Sequence, residues 1–254
     1  MFDFYTDYYR RAAASLAYGE FCERVFGANY AQHGFADMAA VDRLIRAGEL
    51  DATHCVLELG CGSGGIAAYL ATTTGARVTG IDYIPEAIRQ AQARAAASSR
   101  LRFEVADIGA LTYPEASFTT VVAIDTLYFT ALDATLARIQ RILTASGQLL
   151  AYYAQGANPQ VPVERFDRGT LPPDCTDLGR ALHRQGFAFE TWDVTDADVR
   201  HARLKRAVLE ELRPAFAAEG TLSLYENRLG EANGVLAAWE AGCHVRYLYR
   251  AIPL

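Results

Sequence analysis

Val56-Leu57-Glu58-Leu59-Gly60-Cys61-Gly62-Ser63-Gly64-Gly65 decides the fold of this chain. Three apolar residues and one acid run into glycines, and Ile66-Ala67-Ala68-Tyr69-Leu70 follows as a helical start. The pattern is a buried parallel strand turning tightly into a helix. Glycines stand where backbone must come close to something. With no side chains in the way, a ligand can lie against the main chain beside the positive end of a helix.

Outward from that turn the chain alternates. Strand 54–59 leads into helix 64–73, and strand 76–81 into helix 85–98, with Pro85 in its first turn. Strand 101–106 precedes a loop, strand 119–124 precedes helix 131–143, and strand 147–153 follows the Ser146-Gly147 turn. This order predicts a parallel sheet with helices on both faces. Two helices, 3–26 and 36–48, come first; Met38, Val41, Leu44 and Ile45 share one face of the second. Residues 155–175 are rich in proline and predict an irregular loop. Helix 176–185, strand 187–194, long helices 196–218 and 222–241, and a strand over 245–252 complete the chain.

The 254 residues, 51% hydrophobic, suffice for one large α/β domain with an appendage. A net charge of -6 argues against a nucleic-acid partner, which needs a basic surface. Arg200 to Arg206 reads as a solvated helix face. Cys22, Cys55, Cys61, Cys175 and Cys243 are scattered without a Cys-x-x-Cys pair, so a disulfide framework is not expected and a reducing, cytoplasmic location fits. Asp3 and Asp7 among the first aromatics do not make a signal peptide. No apolar run approaches the ~18–20 residues of a membrane span. No histidine spacing suggests a metal site, and Gln155-Gly156-Ala157-Asn158 does not supply an Asp-Asn pair for one.

Glu58-Leu59-Gly60-Cys61-Gly62-Ser63-Gly64 resembles the first motif of class I S-adenosylmethionine-dependent methyltransferases. Gly80-Ile81-Asp82, Val105-Ala106-Asp107-Ile108 and Asp125-Thr126-Leu127-Tyr128 follow in order, each after a predicted strand. The resemblance covers residues 54 to about 153 and is to the branch acting on small molecules. It implies a single domain over 1–254: a helical cap (1–50), a cofactor-binding core (51–154) and a substrate-side half (155–254). It also implies a Rossmann-like, seven-stranded, mostly parallel sheet whose last strand inserts antiparallel between the fifth and sixth. Residues 195–242 stand where a short hairpin is common. They read as an insertion that covers the substrate entrance or makes a subunit contact, as in a homodimer.

The resemblance also assigns residues. Gly60, Gly62 and Gly64 would let the methionine part of S-adenosylmethionine approach the backbone. Glu58 would face its amino end, Asp82 the ribose hydroxyls, Tyr83 and Ile84 the adenine faces, and Asp107 with Ile108 the adenine edge. Asp125 would line the pocket or cap the following helix. Gly60-x-Gly62-x-x-Gly65 with Asp82 also matches a dinucleotide fingerprint. That fold gives no reason for acids at both Glu58 and Asp107, so the sulfonium cofactor, leaving S-adenosylhomocysteine, is the better reading.

Methyl transfer is an in-line displacement that rests on alignment, worth ~7–11 kcal/mol, and on a base only where the acceptor arrives protonated. His33, with an ordinary pKa near neutrality, and Tyr128 are the candidate catalytic residues; a turn residue and a wall residue are their plainer roles. Tyr5 or Tyr9 of the aromatic first helix would face the pocket, and at most one of Tyr152 and Tyr153. Arg203, Tyr225, Asn227 and Arg228 read mainly as scaffold. Other chemistry on the same cofactor, such as aminopropyl transfer or a rearrangement, and a non-catalytic binding partner are the rival functions.

Overall fold

The computed structural model describes residues 2–96, 98–156 and 163–254. Seven strands form one sheet in the order β3-β2-β1-β4-β5-β7-β6. They are β1 (Cys55–Leu59), β2 (Arg77–Asp82), β3 (Leu101–Val105), β4 (Phe118–Ile124), β5 (Leu143–Gly156), β6 (Phe187–Asp193) and β7 (His244–Pro253). Neighbours run parallel except where β7 lies antiparallel between β5 and β6. The mostly parallel sheet with an inserted last strand is the architecture expected from the motifs.

Alternation along the strands divides the core into two layers. Leu57, Leu59, Val121 and Leu149 pack under α6 (Leu132–Ile142) and α7 (Asp177–Arg184). Val56, Val78, Val122 and Leu150 pack under α3 (Met38–Ala47), α4 (Gly65–Thr74) and α5 (Pro85–Ala95). Burying each such side chain contributes about 1.5–3 kcal/mol.

Three sequence expectations change. The first helix is two, α1 (Phe2–Ala14) and α2 (Leu16–Phe26), because Ser15 takes an extended backbone and its Oγ caps α2 by accepting from the Tyr18 amide. The fifth strand continues to Gly156, so the stretch read as irregular from 155 begins in the sheet; three 3-10 turns between Val163 and Cys175 form its later part. Ala157 and Asn158, weighed above for a metal, lie outside the described residues. Finally, the basic run is not uniformly solvated: Arg200, Arg203 and Arg206 are exposed, but Lys205, the chain's one lysine, is fully buried.

Helices α8 (Thr195–Ala218) and α9 (Leu222–Glu240) pack on the N-terminal helices. Tyr18, Phe21 and Phe26 meet Leu209, Phe216 and Leu224 in a third core cluster. Glu219, just past α8, accepts from Ser15 Oγ (2.6 Å) and the Ala17 amide (2.9 Å). Cap and insertion are therefore one layer. Ser15→Ala removes a helix cap and this tie together. It should cost about 1–2 kcal/mol, read as a lower urea midpoint with an unchanged slope.

Candidate active site

Strand order reverses between β1 and β4, the place where open α/β sheets hold ligands. A cavity of about 700 Å³ opens there, within the usual range for small-molecule sites. Gly60, Asp82, Tyr83, Ile84, Asp107 and Ile108 line one side. Tyr5, Tyr9, His33, Phe35, Phe129, Glu231 and Arg246 are among those lining the other.

The glycine turn is built by close packing. Gly60, Gly62 and Gly64 all have positive φ, of 71°, 53° and 77°. A Cβ on Gly60 would lie 2.4 Å from Thr126, one on Gly62 2.9 Å from the Tyr9 hydroxyl, and one on Gly64 2.6 Å from the Phe103 ring. Gly60 lines the cavity, Gly62 lies beneath Tyr9, and Gly64 seats α4 on the sheet.

Asp82 ends β2. It accepts from the Gly62 amide through Oδ2 and the Ile84 amide through Oδ1, both at 2.9 Å. Burial raises its pKa, and those amides oppose the rise. Asp107 is exposed at the cavity edge; one oxygen accepts from Gly109, which leaves the other for a ligand. Tyr83 is exposed and packs edge-on against Phe2. Glu58 is placed differently from its neighbours in the motif. It is buried behind the turn, does not line the cavity, and its Oε2 has no partner. Burial, with Asp82 nearby, pushes its pKa up to about 8.

The opposite wall is an ion network that residue patterns did not single out. Arg246 of β7 donates to Asp125 through Nη2 (2.9 and 2.7 Å) and to Asp198 of α8 through Nη1 (2.7 Å). Nη1 also meets the Phe35 carbonyl, and the Phe35 amide donates to Asp125. His244 completes the group at 2.8 Å from Asp198. Burial works against ionising Asp198, but Arg246 and His244 prevail and hold its pKa down near 2. Asp125 thus lines the pocket as an ion-pair partner and does not cap α6, whose cap is Ala131. Lys205 donates to the Gly34 carbonyl at 2.5 Å over the Phe35 ring; burial lowers its pKa to about 7.

His33 lies in the cavity with its Nε2 facing Arg228 of α9. A guanidinium can only donate, so Nε2 accepts and the ring proton sits on Nδ1. Burial, with Arg228 and Lys205 adding to it, drives the His33 pKa well below its ordinary value. This arrangement keeps the His33 ring neutral, with Nε2 engaged by Arg228 and the Nδ1 hydrogen as its remaining donor. Tyr128 lines the cavity with part of its ring exposed; its oxygen accepts from the Ala154 amide and its ring packs at a tilt against Tyr153. Tyr5 and Tyr9 both line the cavity; Tyr152 and Tyr153 do not. Arg203, Tyr225 and Asn227 stay outside it, and Arg228 acts behind His33.

Two outcomes follow from these charges. Glu58 costs stability as pH rises from its unfolded pKa of about 4.3 through its folded value of about 8, because the buried site resists ionisation. Between pH 5 and pH 8 the melting temperature of Glu58→Gln should rise relative to that of the ligand-free wild type, by at least the ~2–4 °C that 1 kcal/mol makes in a domain this size. Arg246→Ala leaves buried Asp125 without its cation and Asp198 with His244 alone, and should cost about 3–5 kcal/mol in urea denaturation.

A methyltransferase-domain family model matches residues 56–147. Phosphoethanolamine N-methyltransferase 1 of Triticum aestivum is 30% identical over 231 residues, 87% of this chain and 45% of that protein. Methyltransferase GfsG of Streptomyces halstedii is 30% identical, covering 59% of this chain and 58% of its own. The chain spans about half the length of the curated relatives it matches. Among solved structures, Haemonchus contortus phosphoethanolamine N-methyltransferase 2, with phosphomonomethylethanolamine and S-adenosylhomocysteine, superposes with a TM-score of 0.78 at 19% identity, over 98% of this chain and 60% of that one. A cyclopropane synthase of Mycobacterium tuberculosis gives 0.73 at 18%, over 96% and 98%. The family match shows that residues 56–147 carry a methyltransferase domain, and the superpositions show that the chain has the fold of these structures.

Proposed function

We propose that this protein transfers a methyl group from S-adenosylmethionine to a small-molecule acceptor, at nitrogen, oxygen or carbon, by in-line displacement. The observation that carries this reading is one cavity joining the Gly60–Asp82–Asp107 side to the aromatic side at Tyr5, Tyr9 and Phe129. The residues present fit the cofactor. Gly60 lines the cavity with backbone alone, and Asp107 keeps a free oxygen at its edge.

When bound, the cofactor supplies an electrophilic methyl on a positive sulfur. Asp82 would take the ribose hydroxyls, Tyr83 and Ile84 the adenine faces, and Asp107 with the Ile108 amide the adenine edge. The turn at Gly60, Gly62 and Gly64, with Glu58 behind it, would seat the methionine end. His33 would donate from Nδ1 to the acceptor, and Asp125 would fix the wall through Arg246. Tyr128 serves there as wall. Helices α1, α8 and α9 would exclude water and hold the acceptor in line, the contribution most valuable to such a reaction. The packing of 195–242 on the N-terminal helices supports its role as a cover more than a homodimer contact.

The relatives support the cofactor by name, since the nematode enzyme was solved with S-adenosylhomocysteine. The acceptor of the wheat and nematode proteins, phosphoethanolamine, is the first comparison to make. The net charge of -6 supports an acceptor other than nucleic acid, and five free cysteines support a cytoplasmic location. Among the described residues no helix is long and apolar enough to cross a membrane. The single domain with cap 1–50, core 51–154 and substrate half 155–254 is part of the same reading.

A [4+2]-cyclase shares the fold at a TM-score of 0.66, so one fold can serve chemistry without methyl transfer. Turnover separates the readings: methylated acceptor and S-adenosylhomocysteine should appear one for one. Asp82→Asn should weaken S-adenosylhomocysteine about tenfold or more in calorimetry, the effect of losing a charge-assisted hydrogen bond. Unchanged affinity would remove Asp82 from the cofactor site.

A further inference from the structure

His33 and His244 both line the cavity, and their surroundings give them opposite chemistry. The lone pair of His33, on Nε2, is engaged by Arg228, and a proton added to that ring would meet two cations, Arg228 and Lys205. His244 opens β7 at the ligand edge, opposite Gly156 at the end of β5. Its side chain is mostly buried, and Gly156 lines the cavity beside it.

Asp198 fixes the orientation of the His244 ring, with Oδ2 at 2.8 Å from Nε2. Arg246 and His244 keep that carboxylate ionised despite its burial. An ionised carboxylate only accepts, so Nε2 carries the hydrogen and the neutral ring keeps its lone pair on Nδ1. Among the described residues no hydrogen-bond partner meets Nδ1. A Cβ on Gly156 would stand 3.2 Å from Nδ1, so the glycine leaves this nitrogen uncovered on that side. A proton arriving at Nδ1 makes an imidazolium that faces a carboxylate, the reverse of the situation at His33. Arg246, the other partner of Asp198, is itself paired with Asp125 through Nη2. A histidine whose far nitrogen is held by a buried acid is the arrangement that proton transfer uses on unrelated folds.

We infer that His244 is the general base of the transfer and Asp198 its positioning residue. The proton of an acceptor N–H or O–H passes to Nδ1. The pair it leaves bonds to the methyl carbon, and the carbon–sulfur pair stays with sulfur. The products are methylated acceptor, S-adenosylhomocysteine and an imidazolium that returns its proton to water. This rests on the methyl-transfer reading and narrows it to acceptors that arrive protonated at the reacting nitrogen or oxygen, the case in which a base is needed.

The first test is long-range proton–nitrogen NMR at pH 8 on the full chain, labelled at histidine and saturated with S-adenosylhomocysteine, with ring signals assigned through the backbone. His244 should carry its hydrogen on Nε2 and His33 on Nδ1. A hydrogen on Nδ1 of His244 overturns the inference, and this readout needs no variant to fold. Asp198→Asn should let the His244 hydrogen move in part to Nδ1, a change that a merely structural role would not produce. The second test is turnover at pH 8 with phosphoethanolamine and with 1-naphthol, both of which carry their proton there. On the acceptor that is methylated, His244→Gln should lower kcat about a hundredfold or more, the lower end of what a base contributes, with KM within about threefold. Its affinity for S-adenosylhomocysteine should stay at the wild-type value, which shows that the variant is folded. A kcat within about tenfold of wild type overturns the role of His244. Methylated product from neither compound removes the proton-bearing acceptor and the inference with it. Failure of the wild type to bind S-adenosylhomocysteine removes the methyl-transfer reading itself.

Discussion

The Arg246 guanidinium, 3% exposed, holds the substrate side of this fold together. Burying a charge is costly unless its hydrogen bonds are met, and here Nη1 and Nη2 reach two carboxylates and a carbonyl. The partners come from distant parts of the chain: Asp125 after β4, Asp198 in the first turn of α8, and Phe35 between the N-terminal helices. One side chain thus ties sheet, insertion and cap. It also fixes Asp125 at a φ of 56°, a conformation an L residue adopts at a cost and keeps only where its surroundings determine it.

The direction of β7 makes this possible. An antiparallel last strand begins where the parallel strands end. In the register, His244 stands opposite Gly156 and Arg246 opposite Ala154, so both lie at the ligand edge and, two residues apart, on one face. A parallel β7 would have placed these residues at the far end of the sheet. Strand direction, a property of the fold, becomes a property of the site.

The cofactor side was legible in sequence because short-range chemistry dictates it. Glycines at positive φ, an acid at the end of β2 and another after β3 are local patterns, and the strands and helices fall within a few residues of their expected bounds. The break at Ser15 was hidden because aromatic and alanine periodicity runs straight across it. The ion network was hidden for a different reason. Asp198, Ala202, Lys205 and Leu209 follow helical spacing on one buried stripe of α8, but charged residues on that stripe look like a solvated face until their partners are known. Those partners are Arg246 and His244 for Asp198 and the Gly34 carbonyl for Lys205, all far away in sequence. Arg246 itself had a usable signal, since the expected antiparallel insertion already places the start of the last strand at the ligand edge.

His33 shows why topology and chemistry become legible at different levels. Its type and place between two helices suggest a base near neutral pH. Its behaviour is set by Arg228, which lies 195 residues later and reaches Nε2 only because α9 packs on α1. Burial and that guanidinium keep the ring neutral and turn it into a donor. Glu231, one helical turn from Arg228, is fixed by the same packing. The ends of the parallel strands hold the cofactor side, and helices from both ends of the chain line the acceptor side. Side chains on the strand ends are placed by their own neighbours in sequence. Those on the helices are placed by tertiary packing, which motif spacing does not record.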